Sequence, residues 1–350
     1  MRVLLTGARG YLGVPLAALL AERGYAVTGL DTGFFAEGRL FPERDAPPRA
    51  VVKDIRQVTA EDLDGFDAVV HLAELSNDPL GQLNPDLTYD LNYRGTVRLA
   101  RLSKDAGIPR FVYSSSCSVY GAGADDIKTE TSATNPQTPY AHCKVLVEQA
   151  LAALADEGFS PTVLRNATAY GPSPSMRFDL VLNNLAGLAW TLGEIRMTSD
   201  GTPWRPLVHV SDLCQAVLSC LEAPREAIHN EVFNVGDGAQ NYRVREIAEI
   251  VSAVFPGCRL TTGSLGGDAR SYRVSFDKIH TRLPGFRCSR DARAGAEELL
   301  HLFERIALTR ETFEFRAYTR VRQLEHLLAS GQIDDRFFWR QKVALDAAPS

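Results

Sequence analysis

Long apolar runs are missing from this sequence, and so are blocks of like charge and closely paired cysteines. No stretch reaches the roughly 18–20 apolar residues that a membrane-spanning helix needs, so no membrane role is expected. The 38 basic and 43 acidic side chains leave a net charge of −5 with no basic stripe, which argues against a nucleic-acid partner. Six cysteines (Cys117, Cys143, Cys214, Cys220, Cys258 and Cys288) are scattered without a C-x-x-C spacing. That pattern suits reduced thiols in the cytoplasm, not a disulfide framework or a zinc site, and no metal is expected. The opening MRVLLTG carries one basic residue and a short apolar run that stops at glycine, so it reads as a strand and not as a signal peptide.

What is present is ordinary globular composition: 350 residues, 45% hydrophobic and 23% charged. The length exceeds one typical core, so two closely joined domains are expected. RVLLT (2–6), YAVTGL (25–30), AVVHL (68–72), RFVYS (110–114) and PTVLR (161–165) are short runs rich in β-branched residues. Helical patterns over 11–23, 90–106 and 140–156 alternate with them, which predicts right-handed crossovers and a parallel sheet covered on both faces. LVHV (207–210) and EVFNV (231–235) read as two more sheet strands. The expected division is 1–172 plus about 204–239 for the first domain, about 173–203 and 240–310 for a second, discontinuous one, and 311–350 for a helical extension. A docking helix is expected in YTRVRQLEHLLASGQ, bracing either the second domain or a subunit contact.

TGARGYLG (6–13) lies between the first strand and the first helix, with Gly7, Gly10 and Gly13 at G-x-x-G-x-x-G spacing. Such a loop permits a tight turn, a close backbone approach to a pyrophosphate and a helix N-terminus aimed at its charge. Asp31 ends the next strand, where a carboxylate accepts from adenosine ribose hydroxyls and repels a 2′-phosphate. Arg9, inside the loop, would suit that same phosphate. Asp31 decides for NAD over NADP.

Tyr140 and Lys144, in YAHCK, stand one helical turn apart, and a serine cluster, YSSSCSVYG (113–121), ends the strand before them. With Asp54 in VKDIR, HLAELS (71–76), LNYRGT (91–96), LRNATAYGP (164–172) and RPLVHVSDL (205–213), the order of motifs over roughly 1–290 resembles the extended short-chain dehydrogenase/reductase family of nucleotide-sugar epimerases and dehydratases. The resemblance implies an α/β fold: a Rossmann-type doubly wound parallel sheet with a smaller, discontinuous α/β substrate-binding domain. It implies Tyr140 as acid/base, Lys144 as its partner on the nicotinamide ribose, and Ser116 as the catalytic hydroxyl. Gly7, Arg9, Gly10, Tyr11, Leu12, Gly13, Asp31, Asp54, Ile55, Leu72, Ala73, Asn92 and Ser114 are the remaining implied cofactor residues. Glu74, Cys117, Asn184, Leu185, Arg205, Asp268 and Arg270, together with Ser116, are the implied substrate residues. A nucleotide-diphosphate sugar is the implied substrate, and a homodimer through helices 90–106 and 140–156 the implied assembly.

Departures from the family pattern narrow the chemistry. Dehydratases carry an Asp-Glu pair after the active-site hydroxyl, where this chain has Cys117 and Ser118. What remains suits oxidation and re-reduction at one sugar carbon, most simply C4. A net dehydrogenase, ketoreductase or dehydratase is the alternative, and a non-catalytic NAD-binding scaffold a remote one. Glu74 replaces a usual small residue and is read either as a solvated loop residue or as an extra acid/base group. Arg205 is read either as a diphosphate contact or as part of a domain-joining ion pair. His142 and Cys143 are read as bystanders. Where relatives show Arg-Pro-Gly-Asp, this chain has Leu265-Gly266-Gly267-Asp268, and Arg270 is the expected substitute for the missing arginine. On that ground the nucleotide base is left open.

Overall fold

Residues 1–42, 49–76, 78–197, 199–263 and 270–341 are described by the structure, a computed structural model; Asp268 and the run 265–267 lie outside the described residues. In chain order the strands that position the site are β1 (Arg2–Thr6), β2 (Ala26–Asp31), β3 (Arg49–Val52), β4 (Ala68–His71), β5 (Arg110–Ser116), β6 (Ser160–Asn166), β7 (Thr168–Tyr170), β8 (Trp204–His209), β9 (Glu231–Val235) and β10 (Asn241–Arg243). Seven of them form one sheet in the order β3-β2-β1-β4-β5-β6-β9, with every neighbouring pair parallel. Side chains of β4 are buried throughout and those of β6 nearly so, as a sheet covered on both faces requires. The order reverses between β1 and β4, which opens a crevice beyond their carboxyl ends, the usual ligand site of this architecture. The chain has the Rossmann fold.

Two layers of helix cover the sheet. On one face α1 (Gly13–Glu22) packs with the later helix Val210–Glu222 through Leu16, Leu20, Leu213 and Val217. On the other, α2 (Asp78–Leu83), α3 (Thr96–Asp105) and α4 (Pro139–Leu154) bury Leu80, Leu99, Val147 and Leu151. A third core, holding Phe178, Leu182, Ile247, Val251, Leu299 and Phe303, joins α5 (Val181–Leu192), α7 (Val244–Val254) and α8 (Ala292–Arg305), α6 being the Val210–Glu222 helix already named. No helix among the described residues is long and apolar enough to cross a membrane.

Three expectations need correction. LVHV does not enter the main sheet: β8 pairs parallel with β7 and antiparallel with β10 in a separate three-stranded sheet. An apolar run announces a strand but not its partner, and here the chain leaves the main sheet immediately after Asn166. The helix expected over 90–106 begins as a wide π-type turn, Tyr89–Gly95, and becomes α3 only at Thr96. The C-terminal helix, α9 (Arg320–Ala329), docks as expected, but its apolar face goes to the first domain and not to the second. Leu324 and Leu327 sit in the same core as β1, α3 and α4, beside the segment that follows β2.

Candidate active site

Strand ends deliver the first half of the site. Gly7 has a φ of 71°, and a Cβ there would lie 2.9 Å from the Ala73 backbone nitrogen. A Cβ on Gly13 would lie 2.1 Å from the Gly7 carbonyl. Both positions therefore exclude a side chain, and the loop backbone is held open over the crevice. The Asp31 carboxylate accepts from the Arg9 backbone N–H at 3.0 Å and the Gly33 N–H at 2.8 Å, tying the end of β2 to the loop. Asp54 accepts from Arg56 Nη2 at 2.7 Å and caps the turn that presents Ile55. His71 is buried between the Thr6 and Thr96 hydroxyls, at 2.7 and 2.8 Å, and burial pulls it down to about 3. It is a neutral core histidine that fixes the end of β4.

Asn92, in the wide turn before α3, grips the backbone of one residue with both ends of its amide. Its Oδ1 accepts from the Leu75 N–H at 2.8 Å and its Nδ2 donates to the Leu75 carbonyl at 3.1 Å. That clamp holds the loop 72–76 against the strand ends, and a π-type turn at such a place is a recurrent functional device.

The second half comes from β5 and α4. Thr138 caps α4 by accepting from the Ala141 N–H, with Pro139 at its first position, so Tyr140 enters the cavity from the helix's first turn. The Ser116 hydroxyl lies close enough to the Tyr140 phenol to favour its ionised form, and it accepts from the Ser118 N–H at 3.1 Å. Lys144, one turn on, donates to the Ser114 carbonyl and lies 5.3 Å from the Tyr140 ring centre. Behind this wall Glu148 and Arg165 form a buried bidentate pair, with Ser115 donating to Glu148 at 2.5 Å.

Glu74 settles one of the open readings. Its side chain is 3% exposed, 2.5 Å from Lys144 Nζ, and accepts from the Tyr113 hydroxyl at 2.7 Å. A solvated loop residue it is not. Burial raises its pKa against the opposing pull of Lys144. Tyr140 is likewise pushed above its ordinary value by burial; Lys144 lowers it, and Glu74 and Asp78 raise it again. Lys144 therefore does favour the phenolate, but burial outweighs it, and the Glu74 carboxylate already meets the lysine's charge.

The site opens on one cavity of ≈ 880 Å³. Gly7, Gly10, Tyr11, Leu12, Gly13, Asp31, Asp54, Ile55, Leu72, Ala73, Ser114 and Tyr140 line it, as do Glu74, Ser116, Asn184, Leu185, Arg205 and Arg270. Asn92 and Lys144 stand one layer behind, and the Arg9 backbone N–H ties the loop to Asp31. Cys117 is a correction. It is 1% exposed within the hydrophobic core, its Sγ donates to the Arg165 carbonyl at 3.1 Å, and burial pushes its thiol far up. The turn that follows Ser116 aims residue 117 inward and puts Ser118 on the cavity wall instead. His142 is exposed and Cys143 buried against α3's approach, consistent with bystanders.

Other lining residues escaped the sequence reading. Asp78, at the start of α2, accepts from Thr138 and ion-pairs with Arg270. Arg270, expected to supply a free charge for substrate, is therefore already compensated. Arg205 donates to the Trp204 and Arg270 carbonyls. Arg177 holds Asp179 bidentately at 2.9 and 3.1 Å and reaches Ser76 Oγ at 3.3 Å. The only signal for Arg177 was a charged pair, R-F-D, in an otherwise uncharged loop.

A glycine cradle whose missing side chains leave backbone amides facing the cavity, with a carboxylate at the end of the next strand, fits an NAD dinucleotide. Residues 3–236 match the model of the NAD dependent epimerase/dehydratase family. The chain belongs to this family. Among curated relatives, UDP-glucose 4-epimerase of Corynebacterium glutamicum is 31% identical over 281 residues, covering 75% of this chain and 81% of that protein. Among solved structures, MoeE5 in complex with UDP-glucuronic acid and NAD superimposes with a TM-score of 0.75 at 27% identity, covering 88% of this chain and all of that one. TunA, an NAD dependent NDP-hexosamine 5,6-dehydratase, gives a TM-score of 0.78 at 24% identity over 87% of this chain and 98% of its own, a likeness of fold alone. This member of the epimerase/dehydratase family is an NAD-dependent enzyme.

Proposed function

We propose that the protein is a nucleotide-sugar epimerase that oxidises a sugar carbon, most simply C4, and reduces it again from the opposite face. The observation that carries this reading is the shared wall of Tyr140 and Ser116 beside the glycine cradle, with Lys144 behind it and no acidic pair at 117 and 118. NAD supplies a reversible hydride acceptor. Tyr140, as phenolate, takes the hydroxyl proton while the carbon is oxidised and returns it when the carbon is reduced. Ser116 donates to the same sugar oxygen as its charge changes. Lys144 stabilises the phenolate electrostatically, and Glu74 moderates that effect. Arg177, Arg205 and Asn184 line the part of the cavity suited to a nucleotide diphosphate, whose oxygens match guanidinium geometry. The neighbouring MoeE5 complex with a UDP-sugar supports that class of substrate.

A second reading, net dehydration or dehydrogenation, is favoured by two carboxylates on the wall, Glu74 and Asp78. One experiment separates the two. Purified protein is incubated with a panel of nucleotide sugars without added cofactor, and isomers, NADH and dehydrated sugar are quantified. Isomer without net NADH or loss of water supports the epimerase; stoichiometric NADH or an unsaturated or deoxy product overturns it. A homodimer through α3 and α4 is also proposed, and light scattering at assay concentration tests it.

A further inference from the structure

The C-terminal extension returns to the segment that follows Asp31. The Trp339 indole N–H donates to the Thr32 carbonyl at 2.7 Å, and Gln323 Nε2 donates to the Phe34 carbonyl at 3.0 Å. Arg316 pairs with Glu37 at 2.5 Å. A Cβ on Gly38 would stand 2.9 Å from the Ala317 carbonyl, so the two backbones touch there. These ties place the first turn of α9, from Thr319 through Arg322, on the wall of the cofactor cavity. The helix has ten residues and its N-cap, Thr319, makes no side-chain cap; the Arg320 N–H donates instead to the Asp179 carboxylate at 3.4 Å.

Arg320 is the notable side chain of that turn. It is 2% exposed, its guanidinium lies 4.0 Å from the Phe35 ring centre, and its Nη1 has no hydrogen-bond partner among the described residues. A buried guanidinium is costly unless an anion meets it. Two carboxylates lie near: Asp179 holds Arg177 bidentately and accepts from the Arg320 N–H, and Asp31 accepts from two loop amides; neither occupies Nη1. Burial, reinforced by the like charge of Arg177, draws Arg320 down to about 9. Asp179 and Asp31 offset that only in part.

We propose that Arg320, on the first turn of α9, forms an anion subsite that grips the pyrophosphate of NAD, adding to the hold of the glycine loop. The family model's match ends at residue 236, so this subsite comes from a segment outside it. Its effect is to retain the cofactor between turnovers, which a cycle that regenerates NAD requires.

Calorimetry on the full-length chain, freed of nucleotide, tests this with two ligands: ADP-ribose, which has the pyrophosphate, and adenosine, which lacks it. Arg320→Met keeps the stem over Phe35 and removes the charge. Its affinity for ADP-ribose is expected to fall about 10- to 100-fold, the loss of one or two charge-assisted hydrogen bonds, with adenosine binding unchanged. Arg320→Lys is expected to recover part of that loss, and the salt dependence of ADP-ribose binding to be shallower in the Met variant than in wild type. Equal losses for both ligands would mean that Arg320 only supports the fold, and unchanged ADP-ribose affinity would mean that it does not meet the phosphates. Either result overturns the proposal. Should Arg320→Met lack a cooperative melting transition, the Lys variant carries the decision: adenosine and ADP-ribose weakened alike, or neither weakened, sinks it.

Discussion

Glu74 and Lys144 meet at 2.5 Å with side chains only 3% and 4% exposed. The ammonium beside Tyr140 is therefore paired before any ligand arrives, and Glu74 sits among the groups that raise the phenol. Glu74→Gln removes a negative charge from that neighbourhood and lowers the Tyr140 pKa. Because the phenolate is the active form, the acid limb of the kcat profile then moves to lower pH. A pH–rate series on wild type and variant checks the direction, and a limb that stays put or moves upward contradicts the role assigned to Glu74.

Tyr140→Phe keeps the ring but removes the transferable proton. A loss of about 10²- to 10⁴-fold in kcat is expected, the usual value of general acid–base catalysis. NAD content of the purified variant, measured by chromatography after denaturation, should match wild type. Near-normal turnover would remove Tyr140 from the mechanism.

Asp31 ties β2 to the glycine loop and faces the cavity. With Asp31→Ala, affinity for NAD falls while the barrier to a 2′-phosphate disappears, so the NAD/NADP affinity ratio drops by about tenfold. Fluorescence titration of both dinucleotides measures that ratio. Parallel weakening of the two would assign Asp31 to loop structure alone.

Glu148 and Arg165 are both about nine-tenths buried and bound at 2.7 Å. Glu148→Ala leaves Arg165 without its counter-charge in the interior, and about 3–5 kcal/mol of stability is expected to be lost. Urea denaturation gives the figure directly. A loss below about 1 kcal/mol would show that Tyr120, also within 3.0 Å of Arg165, is enough to satisfy the guanidinium.

Local spacing made much of this legible. The glycines of the first loop, Asp31 at the end of the next strand, and Tyr140 with Lys144 one turn later all depend on neighbours in sequence, and they line or back one cavity. What stayed hidden depends on distant partners. Asp78 and Arg270 stand 192 residues apart, and nothing near either announces the other. Glu74 looked like a loop acid because its burial depends on Tyr113 and Lys144, which arrive from other elements. Cys117 was misplaced because it was read as a pocket residue from its place next to Ser116, whereas its side chain turns into the core behind that wall. LVHV was recognisable as a strand, but the choice between sheets rests on β7 and β10.

The indole of Trp339 is bonded to the carbonyl of Thr32, 307 positions earlier. On the ribosome, the opening βαβ unit emerges first and can begin to collapse, yet the rim of its nucleotide crevice waits for nearly the whole polypeptide to be translated. A nascent chain interrupted before α9 would carry the glycine cradle without its closing strap.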